Sequence, residues 1–160
     1  MPAAQAVTTL SDREINERVA ILKRFRSLLL EQKSRFVTYL DVLDKQKTQI
    51  EEGSGDLEGH IELEEKLVSD ILSIQKTITP MQPLYKAAWK GGAPEITEIT
   101  RTLETLKAET ARRAAENKNL LQQRMTELKQ ELKTLAANPF KKRRPVYGDN
   151  AQPMLIDIKG

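Results

Sequence analysis

The residue types that could carry out chemistry are few and scattered in this chain. His60 is the single histidine, it lies among glutamates at 58, 62, 64 and 65, and the sequence has no cysteine. A metal site needs several converging ligands, and a nucleophilic serine needs a base within reach. The glycines at 53, 55, 91 and 92 lack the Lys-Ser/Thr ending of a phosphate-binding loop. We therefore expect no enzymatic activity, no metal ligands and no cofactor.

The second chemically distinctive group is a basic run near the carboxyl end, Lys141, Lys142, Arg143 and Arg144. Residues 138–160 hold five basic and two acidic side chains, whereas residues 1–137 hold 21 of each, so the net charge of +3 belongs to the tail. A neutral body argues against a nucleic-acid-binding face. Two interpretations of the run stay open: a solubilising tail, and a docking segment for an acidic protein surface. Nucleic acid and anionic lipid fit four charges less well.

The first element that could position binding residues is a long helix. Ser11 and Glu14 match a capping box, which predicts a helix start at Ser11. Apolar residues then recur every seven positions, which predicts one helix of about 40 residues that ends at Gly53. A second stripe beside this series is mixed, because Gln32 and Gln46 interrupt its apolar residues, which include Phe25 and Tyr39. The seven-residue series is Ile15, Leu22, Leu29, Phe36, Leu43 and Ile50.

A shorter second helix is expected from Asp56 to Pro80, where the proline ends it. Its predicted core face is Leu57, Ile61, Leu67, Val68, Ile71, Ile74 and Ile78. The segment from Thr79 to Pro94 is predicted to form an elbow, or a short fourth helix opened by Pro83, with Trp89 packed down and Gly91-Gly92 as its close.

Pro94 opens a third helix, since proline is favoured in the first helical turn. Its first apolar stripe, from Ile96 to Leu106, is followed by an alanine-rich stretch and then by a second stripe. If the second helix is short, one end of the third lacks cover, and an exposed leucine stripe is how one amphipathic helix captures another. The second stripe is Leu121, Met125, Leu128, Leu132 and Leu135.

The predicted fold class is all-α: an elongated antiparallel bundle or coiled coil of three main helices, with the two outer helices roughly parallel. We expect a disordered N-terminus over 1–10, a single helical bundle domain over 11–137 and a basic flexible tail over 138–160. The amino-terminal residues do not resemble a signal peptide, and no window reaches the ~18 apolar residues of a membrane span. A cytoplasmic protein without membrane insertion is expected.

Residues 22–81 combine a helix rich in leucine and glutamine, a small turn at Gly53, and a Glu-x-Lys-Leu segment. The helix contains Leu28-Leu29-Leu30-Glu31-Gln32 and Tyr39 to Lys47, and the segment after the turn is Leu63-Glu64-Glu65-Lys66-Leu67-Val68. In these features the chain resembles the FlgN-like flagellar type III export chaperones, which hold hook–filament junction proteins before secretion.

The resemblance implies a cytoplasmic chaperone that binds the amphipathic C-terminal helix of secreted flagellar hook-associated (junction) proteins, prevents premature assembly and delivers them to the export gate. The client-binding residues would be Leu121, Met125, Leu128, Leu132 and Leu135. The tail would dock on the cytoplasmic domain of the export gate membrane protein, through Lys141 to Arg144 with Phe140 and Tyr147.

Two alternatives of other classes remain. One is a structural coiled-coil protein that dimerises through its first helix. The other is a nucleic-acid or lipid adaptor that acts through the basic tail, although the neutral body makes nucleic acid an unexpected partner.

Overall fold

The computed structural model describes residues 9–53 and 57–137, and these residues form three long helices. They are α1 (Asp12–Glu52), α2 (Leu57–Ala88) and α3 (Pro94–Ala137), with no strand in the described chain. The prediction of an all-α bundle is confirmed. The chain divides into two compact units, one ending at Asn117 and one starting at Lys118.

Helix α1 begins and ends as the sequence predicts. The Ser11 hydroxyl accepts a hydrogen bond from the Glu14 backbone N–H at 3.3 Å, and the Glu14 carboxylate accepts from the Ser11 N–H at 2.8 Å. This reciprocal capping box satisfies two N–H groups that have no partner within the helix. The bonds from Ser11 lower the pKa of Glu14. At the other end Gly53 adopts a left-handed conformation with φ of 67°, and its N–H bonds the Gln49 carbonyl.

The seven-residue series of α1 is its core face, except near its start. Leu29, Phe36, Leu43 and Ile50 are buried, Leu22 is half-buried and Ile15 is exposed. The series therefore predicts the core along the last four of its six positions, and burial is lost toward the start of the helix.

Helix α2 continues through Pro80 and Pro83, so the predicted stop at Pro80 and the separate fourth helix are wrong. Each proline removes one helical hydrogen bond. The carbonyl groups that would accept these bonds belong to Lys76 and Thr79, and both residues are exposed. Packing of the buried Ile78 and Tyr85 on either side of the prolines holds the helix together.

The turn between α2 and α3 is fixed by aromatic residues. The half-buried Trp89 packs against the core, and its indole Nε1 donates to the Arg18 carbonyl at 3.1 Å. Tyr85 stacks on Phe25 with ring centroids 4.7 Å apart, and its hydroxyl accepts from the Ala93 N–H at 2.6 Å. The prediction that Trp89 packs down is confirmed. Gly91 and Gly92 supply the positive φ angles that this turn requires.

Pairs of contacting residues give the helix directions within the first unit. The residue numbers of the α2 partners decrease as those of the α1 residues increase, so α1 and α2 are antiparallel. The residue numbers of the α3 partners increase together with those of the α1 residues, so these two helices run in the same direction, as predicted. The α1–α2 pairs are Gln32–Gln75 and Tyr39–Glu64, and the α1–α3 pairs are Arg26–Glu95 and Asp44–Arg113.

Replacing Pro80 or Pro83 with alanine is expected to stabilise the protein. Proline in a helix interior costs about 3 kcal/mol relative to alanine, partly offset here by solvent access and by the stiffer unfolded chain, so each variant should gain about 1–2 kcal/mol. Urea unfolding followed by circular dichroism measures the change. Pro94→Ala is the matched control at the first position of α3 and should change stability by less than about 0.5 kcal/mol. Equal effects at all three sites would contradict an uninterrupted α2.

Candidate partner-binding surface

A buried asparagine joins α3 to α1 within the first unit. Asn117 is 4% exposed, and its side-chain amide donates to the Leu43 carbonyl at 2.9 Å and to Gln46 Oε1 at 3.0 Å. It is also the last residue of the first unit. A buried polar side chain must find such partners, because an unpaired one costs about 1–3 kcal/mol. Asn117 therefore fixes the register of α3 on α1.

The same polar cluster reaches α2 through Glu64. Gln46 Nε2 donates to Glu64 Oε1 at 3.2 Å, and the Tyr39 hydroxyl donates to Glu64 Oε2 at 2.7 Å. Burial and the bond to the Glu64 carboxylate raise the pKa of Tyr39, so its hydroxyl stays a donor at neutral pH. Four side chains thus tie all three helices together at one level of the first unit.

The apolar pattern of the sequence does not predict this cluster, because Gln32 and Gln46 interrupt an apolar stripe of α1. Both are buried, and Gln32 donates to Gln75 Oε1 on α2 at 2.9 Å. The available signal was their position: each glutamine lies on the core side of α1, where a polar group requires a polar partner on a facing helix.

An arginine pair lies one turn before Asn117. The Arg113 guanidinium donates to Glu109 and to Asp44 of α1, and Arg112 pairs with Glu109 and Glu116. The hydrogen bonds from Arg112 and Arg113 lower the pKa of Glu109 from its ordinary value of 4.5 to about 2. These groups are solvated, and such pairs orient side chains more than they stabilise a fold.

The predicted client-binding residues lie in the second unit, on the last five turns of α3. Met125, Leu128 and Leu132 are 50%, 58% and 64% exposed, whereas Leu121 and Leu135 are half-buried. Within 118–137 no residue is buried. We call these five residues the α3 stripe.

The α3 stripe repeats the core-facing side of the same helix. Five turns of an α-helix span 18 residues and seven turns span about 25. Leu121 and Leu128 follow the buried Leu103 at these distances, and Leu132 follows the buried Ile96 at ten turns. Helix α3 therefore carries one apolar side, which is buried at Ile96 and Leu103 and accessible at Met125, Leu128 and Leu132.

Basic residues predominate around the α3 stripe. Residues 118–137 hold four basic side chains, at 118, 124, 129 and 133, against two acidic ones, at 127 and 131. Arg124 pairs with Glu127 at 3.2 Å. A partner helix that covers the stripe would meet a net positive border, which favours acidic residues beside its own apolar face.

Two expectations about α2 need correction. Helix α2 ends at Ala88 rather than at Pro80, although its 32 residues still make it shorter than α1 with 41 and α3 with 44. Ile61 and Val68, predicted to belong to the core face of α2, are 42% and 37% exposed, because α2 turns Leu67, Ile71, Ile74 and Ile78 to the core instead.

The docking tail, namely Phe140, Lys141, Lys142, Arg143, Arg144 and Tyr147, lies outside the described residues. Residues 54–56, which connect α1 to α2 in the sequence and include the predicted N-cap Asp56, also lie outside the described residues.

Across 9–53 and 57–137, no three His, Asp or Glu side chains cluster in a way that could hold a metal ion. His60 is half-buried at the start of α2. Among the helices described, none combines the length and the continuous apolar character that crossing a bilayer requires.

The fold and this surface define an all-α helical-bundle protein with an accessible apolar stripe on its third helix. The chain is 34% identical over 124 residues to a Treponema pallidum (strain Nichols) protein named only "Uncharacterized protein". The match covers 77% of this chain and 80% of that protein, so the two belong to one family. No protein-family model matches the chain. No solved structure matches it either.

Replacing Asn117 with alanine is expected to loosen the junction between α3 and α1. The change leaves Gln46 Oε1 without its donor in a buried site, which should cost about 1–3 kcal/mol in the free energy of unfolding. Urea unfolding measures the loss. The matched control is Asn119→Ala, at an exposed position two residues later, with an expected change within about 0.5 kcal/mol. An Asn117 variant as stable as this control would contradict the assigned role.

Proposed function

We propose that this protein is a cytoplasmic export chaperone of the FlgN-like type, which binds the amphipathic C-terminal helix of secreted flagellar hook-associated (junction) subunits. It keeps that helix from premature assembly and delivers the subunit to the export gate. The observation that carries the proposal is the α3 stripe, an apolar helix face left accessible at Met125, Leu128 and Leu132. The resemblance of residues 22–81 to the FlgN-like chaperones supports the nature of the client.

The spacing of the α3 stripe suits a helical client. Its members follow one another at alternating intervals of four and three residues, the seam along which two helices interlock side chains. A client helix with the same spacing would cover all five residues of the α3 stripe. Covering ~600 Å² of apolar surface at about 25 cal/mol per Å² gives roughly 15 kcal/mol before costs. The loss of freedom on association offsets most of this, which leaves a complex that the export machinery can still open.

The charge around the stripe adds a requirement on the client. Because basic residues predominate over 118–137, acidic residues should border the client's apolar face. Charge complementarity of this kind speeds encounter and selects among clients more than it tightens the complex.

The docking step is assigned to the tail. In this proposal Lys141 to Arg144, together with Phe140 and Tyr147, bind an acidic surface on the cytoplasmic domain of the export gate membrane protein. The client and the gate would then occupy neighbouring but separate segments, so a subunit could be held and delivered at once.

The burial of most of the seven-residue series argues against dimerisation through this face of α1, the structural alternative. The α1 series is buried at Leu29, Phe36, Leu43 and Ile50 within the first unit. A second copy would have to displace α2 or α3 to reach these residues.

Leu128→Glu tests the proposal at the centre of the stripe. A carboxylate at this position would be buried without a partner in the complex, so affinity for purified hook-associated subunits should fall by about 100-fold, equivalent to about 2.7 kcal/mol. Isothermal titration calorimetry measures affinity, and circular dichroism should show unchanged helix content.

Gln130→Glu is the matched control, because it places a carboxylate at an exposed position on the other side of α3. It should bind as tightly as the natural chain. Normal binding by Leu128→Glu, or failure of the natural chain to bind any hook-associated subunit, would contradict the proposal.

A further inference from the structure

A second accessible apolar face lies on α2, within the first unit. Ile61, Val68 and Leu72 line one side of the helix and are 42%, 37% and 57% exposed. They border a groove of about 520 Å³, which Ser69 and Ser73 also line. Small serine side chains beside an apolar ridge let another helix approach closely. This face is separate from the α3 stripe and plays no part in the proposed function.

The charges along this groove are ordered from one end to the other. Three charged residues line it, and one of them, the half-buried Glu64, is bound by Tyr39 and Gln46. Of the other two, Glu65 lies toward the amino-terminal end and Lys76 toward the carboxyl-terminal end, with Val68 and Leu72 between them. Glu65 and Lys76 are both exposed. A helix that fits must therefore present a base opposite Glu65, an acid opposite Lys76 and an apolar centre.

The α2 helix of a second copy meets this description when it runs in the opposite direction. Val68 and Leu72 are centred on residue 70, and Glu65 and Lys76 are centred between residues 70 and 71. One twofold axis at this level would place Val68 beside Leu72 of the other copy and Glu65 beside Lys76, twice each. A parallel arrangement would instead bring like charges together.

We infer that two copies of this chain associate through the α2 groove, antiparallel, with paired contacts of Val68 with Leu72 and of Glu65 with Lys76. The apolar part of this contact rests on Val68 and Leu72 of each copy, so its area is well below the roughly 800 Å² per partner of a standard interface. Association is therefore weak and reversible, and the dimer forms at high local concentration.

Charge reversal tests both the surface and the direction of pairing. All chains in the test carry Leu128→Glu, so that the α3 stripe does not contribute. Glu65→Lys places two lysines together at each contact and Lys76→Glu places two glutamates together, so each variant alone should self-associate at least 10-fold more weakly than the parent. Mixed one to one, the two variants restore both opposite-charge contacts and should form a heterodimer. Sedimentation equilibrium of each chain and of the mixture measures this.

Glu62→Lys is the matched control, since it makes the same charge change at an exposed residue that does not line the groove. It should associate as the parent does, whereas Leu72→Glu should be monomeric. A parent chain that stays monomeric up to roughly 1 mM, equivalent to about 4 kcal/mol of association, overturns the inference. So does a mixture that associates no better than either variant alone. Because client binding is measured separately on α3, failure of one proposal leaves the other standing.

Discussion

An α-helix that keeps one apolar side over its whole length needs cover for that side everywhere, or must leave part of it to water. Helix α3 has 44 residues, and the spacing of Ile96, Leu103, Leu121 and Leu128 keeps these residues on one side. Ile96 and Leu103 are buried, whereas Leu128 is exposed. The proposed partner-binding role of α3 depends on this contrast along a single helix. When a partner covers an apolar side chain that was exposed to water, the free energy of the system decreases.

The polar cluster at the end of the first unit joins its three helices by buried hydrogen bonds. Asn117 bonds both the α1 backbone and Gln46, and Gln46 shares the Glu64 carboxylate with Tyr39. Apolar residues alone would tolerate a shift of α3 by one turn, because many positions offer similar surface. Buried hydrogen bonds do not, because a shift would leave several polar groups unpaired in a site of low dielectric constant. The cluster thus sets the register of the three helices with groups that an apolar pattern does not reveal.

Much of this arrangement follows from the sequence, and the exceptions have physical reasons. The capping box at Ser11 and the seven-residue series predicted α1 with its correct ends, because both depend on local spacing. Pro80 predicted a helix stop that packing of Ile78 and Tyr85 overrides at an exposed position.

Gln32 and Gln46 look unsuited to a core until their partners on other helices are known. Ile61 and Val68 are apolar and near the correct spacing, and only the rotation of α2 on α1 decides that they face solvent. The α3 stripe is visible in the sequence because its spacing is regular, whereas the length of α2 is not, because Pro80 resembles a helix stop.

Amide hydrogen exchange along α3, followed by mass spectrometry, tests the central claim most directly. A helix side without cover leaves backbone hydrogen bonds to open locally, whereas packed turns exchange only by larger unfolding. In the free chain, amides over 121–135 should exchange at least 100-fold faster than those over 96–110, and a bound hook-associated subunit should slow the 121–135 amides specifically. Equal protection of both segments in the free chain would show that the α3 stripe is already covered, and it would contradict the account.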